Sequence, residues 1–201
     1  MPIRFPDDAP QGTFDQLERQ IQGVTAPAGG PAPSAALRNA APGLQASRPY
    51  RVYTVGLNDL EQGNLLNAAR ESRWRHLLLQ GESAVGEAEI PSDAGAASRI
   101  TAFHHGPRAQ GTLEGLKRAD ALSDVQNADY ELRLLESPAI FLVALWLHRN
   151  GDDDIIIPIP PDQSGLETYQ RYRPADAAER LRQRARDVRK AQNDKPGPSG
   201  A

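Results

Sequence analysis

The chain has 201 residues, 26 acidic against 23 basic side chains, a net charge of −3 and no cysteine. That length suits one domain, with two crowded. The missing cysteine excludes disulfides, thiolate metal sites and a cysteine nucleophile, and the acidic balance points away from nucleic acid. The opening MPIRFPDDAP lacks the apolar core of a secretion signal, and the longest apolar run, Ala139–Leu147, is far shorter than a membrane span. A soluble, cytoplasmic protein without membrane contact is expected.

Prolines cluster with alanines and glycines before Gly43 and recur in the closing KPGPSGA. Such segments bury too little apolar surface to offset the entropy of ordering. Residues 1–47 therefore read as a flexible arm, residues 48–173 as one α+β domain, and residues 174–201 as a helix with a disordered tail. Residues 48–173 carry 13 Lys/Arg against 18 Asp/Glu and residues 174–201 carry 7 against 4, so the last segment is a basic appendage on an acidic domain.

Within the arm, residues 13–22 have the marks of a short helix. Thr13 is suited to the N-cap, Gln16 completes a capping box, Phe14, Leu17 and Ile21 share a face, and Gly23 is a stop. Tyr50–Leu57 has the β-branched and aromatic content of a strand. A helix is expected over Leu60–Arg70, capped by Asn58 or Asp59 and weakened by Gly63. Trp74–Gln80 and Ser83–Ile90 read as strands joined by a tight turn at Gly81-Glu82. Arg99–His105 is a further strand, broken by Gly106-Pro107, which opens a helix to about Leu122.

Tyr130–Leu135 alternates as a half-buried strand. Over Ala139–His148 two sets of signals compete. Ser137-Pro138 and Asn150-Gly151 punctuate a helix; Ile140, Phe141, Val143 and Trp146 favour a strand, and Asn150-Gly151 before Ile155-Ile156-Ile157 is a hairpin signal. The strand reading is preferred, and its two apolar faces place it centrally. Ile155–Ile159, with Pro158, is then an edge strand. Pro174–Gln192 is an amphipathic helix with Ala178, Leu181, Ala185 and Val188 on one face. The fold class that results is α+β: an antiparallel or mixed sheet of six to seven strands, two helices on one face, and a C-terminal amphipathic helix.

Chemistry is sparse. No nucleophile motif, phosphate loop or metal-ligand spacing is present, so no catalytic residue, metal or cofactor is assigned. Glu87, Glu89 and Glu131 with Arg75 and Arg133 read as a solvated, salt-bridged sheet face. The best local candidate is the turn His104-His105-Gly106-Pro107-Arg108. There a strand ends and a helix begins, helix amides attract anions, and Arg108 adds a guanidinium. Tyr130, Trp146 and His148 are candidate walls of the same pocket. Two functions follow. The first is a non-catalytic accessory protein that contacts another protein through the N-terminal arm or the C-terminal helix. The alternative is a binder of a small anionic ligand, or an enzyme acting on one, with its pocket at His104, His105 and Arg108.

Overall fold

The structure, a computed structural model, describes residues 3–10, 15, 17, 43–92, 100–149 and 153–194. Nine strands among these residues form one mixed sheet: β1 (Ile3–Arg4), β2 (Leu44–Ala46), β3 (Tyr50–Thr54), β4 (Arg70–Gln80), β5 (Ser83–Pro91), β6 (Ala102–His104), β7 (Tyr130–Ser137), β8 (Leu142–His148) and β9 (Ile155–Pro158). They lie in the order β6-β5-β4-β3-β7-β8-β9, with β1 added to β7 and β2 to β4. The β3–β7 and β1–β7 pairs are parallel and the other pairs antiparallel. Four helices with bounds among the described residues accompany the sheet: α1 (Leu57–Glu61), α2 (Pro107–Asp120), α3 (Ser123–Gln126) and α4 (Pro174–Asn193). None of the described helices is long and apolar enough to cross a membrane.

The α+β class and the mixed sheet agree with the sequence; strands and helices are both more numerous than expected. The ambiguous stretch resolves as a strand that starts late. Pro138–Ile140 make a 3-10 turn, Phe141 takes a left-handed φ of 56°, and β8 runs from Leu142 between β7 and β9. The hairpin tip at 150–152 lies outside the described residues. β9 is the edge strand, and its Ile156 exchanges backbone bonds of 3.0 and 2.9 Å with Tyr172.

Three expectations need correction. The helix over Leu60–Arg70 is only α1; Gly63, at a φ of +81°, ends it, and Arg70 already belongs to β4. The two helices expected on one face lie on opposite faces. α2 packs on the face of Leu134, Leu145 and Ile157, while α1 and α4 pack on the face of Leu135, Trp146 and Ile156. Lastly, parts of the arm belong to the fold. Ile3–Arg4 and Leu44–Ala46 are strands, and Leu17, in helical conformation, is buried against Trp74, Leu78 and Ile90. An edge of free backbone groups beside β4 and β7 explains why so short a segment pairs at all. Apart from Asp15 and Leu17, the helix expected over residues 13–22 lies outside the described residues.

Candidate binding site

The face of the sheet that α2 covers is apolar at one end and charged at the other. Period-2 alternation builds the charged end. Arg75 stands opposite Glu89, and Glu87 opposite His104, so all four side chains share a face. Glu136, from β7, and Arg73, from β4, complete it across the sheet, and Arg108 reaches in from the first turn of α2.

Arg75 is fully buried and touches three carboxylates. Its Nη1 donates to Glu136 at 2.9 Å, its Nη2 donates to Glu89, and its Nε lies 3.8 Å from Glu87. Arg73 pairs with Glu136 at 2.5 Å and with Glu89 at 3.3 Å. Arg108 Nε donates to Glu87 Oε2 at 2.6 Å and its Nη1 to Glu136 Oε1 at 3.3 Å. Tyr50, also fully buried, donates its hydroxyl to Glu87 at 3.3 Å. Three guanidinium groups thus face three carboxylates, and the net charge of the set is zero.

Burial by itself penalises every one of these ions. Burial pushes the Glu89 carboxyl up, but His104, Arg75 and Arg73 together bring it down to about 2. Burial opposes ionisation of Glu136 as well, and Arg75, Arg108 and Arg73 again hold it below the usual carboxylate range. Desolvation works against the charge on Arg75, and Glu87, Glu136 and Glu89 more than restore it. Tyr50 goes the other way: burial and Glu87 raise its phenol well above the ordinary value, so it stays a donor.

Beside this network is a cavity of about 240 Å³ lined by Glu87, His104, His105, Gly106, Pro107, Arg108, Ala109 and Pro161. Adjacent strand residues point to opposite faces, but β6 ends at His104, and this lets His105 turn toward the same cavity. His104 Nε2 is 3.1 Å from Glu89 Oε2, with the ring 41% exposed. The expected strand over Arg99–His105 is accordingly shorter, and Arg99 lies outside the described residues.

Of the six residues singled out by sequence, His104, His105 and Arg108 come together here. The other three lie elsewhere. Tyr130 lines a separate cavity of about 510 Å³ with Asp124, Arg149, Asp153, Asp154, Arg171 and Arg173, whose charges largely pair among themselves, Arg171 with Asp124 and Arg149 with Asp153. Trp146 and His148 sit on the opposite face. Both are pinned by Asp154, which accepts from Trp146 Nε1 at 2.7 Å and lies 3.1 Å from His148 Nδ1. Arg133 stacks over Trp146 at 4.7 Å. These contacts fix the packing of β8 and leave the two rings no part in the His104 cavity.

The buried network is the feature the sequence reading missed. It treated Glu87, Glu89, Arg75, Glu131 and Arg133 as one solvated face. Glu131 and Arg133 do pair, at 2.7 Å, but on the other side of the sheet. Glu87, Glu89 and Arg75 are buried. The available signal was the spacing Arg73-x-Arg75 and Glu87-x-Glu89, which places like charges two apart on one face of a hairpin.

The chain is thus an α+β protein with an ionic network buried beneath a small surface cavity. No family model, curated protein or solved structure matches it.

Proposed function

We propose that this protein binds a small anionic molecule in the cavity at the end of β6. The observation that carries the reading is the convergence of His104, His105 and Arg108 on one cavity. A neutral ionic network beneath them supports it. Such networks cost desolvation energy that well-packed apolar residues would not, and ionisable groups held away from their ordinary titration range concentrate at functional sites. The first turn of α2 adds the backbone N–H groups of Arg108 and Ala109, with no side chain capping Gly106.

A role as a protein-contacting accessory through the two terminal segments has less support. Ile3, Leu17, Ala177, Leu181 and Ala185 are all buried in the sheet's apolar clusters, so these segments serve the fold.

The test is a thermal-shift series with succinate, phosphate and other small anions. A ligand at about 100 times its Kd stabilises by about 2.7 kcal/mol. The expected result is a concentration-dependent rise in Tm that His105→Ala and Arg108→Ala diminish. No rise with any anion, or a rise unchanged in both variants, would refute the reading.

A further inference from the structure

We propose a second binding site, for a phosphorylated small molecule, in the cavity where β7 begins and the β8–β9 hairpin meets the segment before α4. It uses none of the residues of the β6 cavity and stands independently of it.

This cavity, of about 510 Å³, has more than twice the volume of the other, about 240 Å³, and falls in the size range of small-molecule pockets. Its described lining holds no aliphatic side chain, only arginines, aspartates and Tyr130. The aspartates are already engaged. Asp154 accepts from Trp146 Nε1 at 2.7 Å and from the Arg149 amide at 2.8 Å. Asp124 is tied to Arg171, and Asp153 to Arg149 at 3.4 Å.

The lining groups left without a partner among the described residues are both donors. One is Arg173, the exposed N-cap residue of α4, which makes no ion pair there. The other is Tyr130. Only 3% of its surface stays open, it lines the cavity, and its hydroxyl is bonded to no described group. A tyrosine buried to that degree ordinarily pairs its hydroxyl, and the cavity is where a partner can enter. Arg149 and Arg171 add to the supply, since each gives its aspartate one nitrogen, Nη1, of a guanidinium with five N–H groups.

A phosphate ester answers this set. It presents three acceptor oxygens, takes guanidinium groups in paired hydrogen bonds, and brings negative charge to the one lining arginine that lacks a described counter-ion. The polar lining suits a ligand body that carries hydroxyls, as a sugar phosphate does.

The experiment is isothermal titration of the full chain with ribose 5-phosphate, ribose and inorganic phosphate. Ribose 5-phosphate is expected to bind, and ribose to bind at least about tenfold more weakly. Arg173→Ala, at an exposed position, should weaken the ester at least about tenfold, and Tyr130→Phe, which keeps the buried ring, about threefold. His105→Ala should leave its affinity unchanged. Equal binding of ribose would overturn the role of the phosphate, and inorganic phosphate binding as tightly as the ester would overturn the larger ligand. An affinity unchanged in Arg173→Ala, or lost in His105→Ala, would overturn the placement. Binding of neither phosphate compound would overturn the site and leave the reading of the β6 cavity standing.

Discussion

Arg75 is the residue that makes three buried carboxylates tolerable. Its guanidinium touches Glu87, Glu89 and Glu136 from a position with no exposed surface. Removing one partner of a buried ionic set costs about 3–5 kcal/mol, because the remaining charges stay desolvated. Arg75→Met should therefore lower stability by about that amount, read from urea unfolding. The same carboxylates give stability a pH dependence. Glu89 titrates at about 2 in the folded chain and Glu136 is also lowered, both from an ordinary 4.5. Their contribution is complete above pH 5 and is lost as pH falls through the acid range toward 2. His76 is lowered from 6.5, chiefly by burial, so the folded state disfavours its charge and loses stability as pH drops below 6.5. Urea midpoints measured from pH 8 to 2 should fall in two stages. Glu89→Gln should flatten the acid stage, and His76→Gln should remove the one near neutrality.

Individual residues were unevenly legible. His104, His105 and Arg108 were visible because strand, turn and helix signals meet within five residues. The partners Glu89, Glu136 and Arg75 come from three strands, and their meeting depends on a strand order that local pattern does not encode. Burial was the second thing hidden. Alternating charge on a strand reads as a wet face unless the cover above it is known.

At the scale of elements, α2 shows how a poor helix sequence can be a good packing sequence. Gly111 and Gly115 weaken the helix by propensity. Both face the sheet at close range. A Cβ on Gly111 would stand 2.7 Å from the Pro160 carbonyl oxygen, and one on Gly115 would stand 2.8 Å from Ile159 and 2.9 Å from Leu145. On an exposed helix Gly→Ala would stabilise. Here Gly111→Ala should destabilise by about 1–3 kcal/mol, since its obstacle is backbone, and Gly115→Ala by less, since its obstacles are side chains. Thermal unfolding of the two variants checks both the sign and the order. On the other face, α4 lays Ala177, Leu181 and Ala185 against Trp146, Ile156 and Tyr172, with Arg189 tied to Glu61 at 3.1 Å. Leu181→Ala should cost about 2–5 kcal/mol. A change within 0.5 kcal/mol would mean that α4 is not docked. The face of α4 was readable from its 3.6-residue period. Its docking was not, because the surface that receives it is assembled from α1, the turn Pro138–Ile140 and β9, which are far apart in sequence.

The whole molecule is organised about the parallel pair β3–β7. On the side of β3 the chain continues as β4, β5 and β6; on the side of β7 it continues as β8 and β9. Each run is followed by a long helix, α2 on one face and α4 on the other. Antiparallel meanders are local in sequence, which explains why the strands of each run were recognisable one by one. The central parallel pairing joins segments some 80 residues apart and left no local trace. The same holds for β1, which was hidden inside a segment of disordered composition. Polar side chains of the two runs, Glu87 and Glu136, are joined through Arg75 and Arg108 under the N-terminus of α2, beside the cavity on which the functional proposal depends.

The most direct measurement is a proton–nitrogen chemical-shift map of the full chain titrated with succinate. Saturable shifts should gather on the amides of Glu87, His104, His105, Gly106, Arg108 and Ala109. Shifts centred instead on Arg149, Arg171 and Arg173, or saturable shifts nowhere, would contradict a binding site at the end of β6.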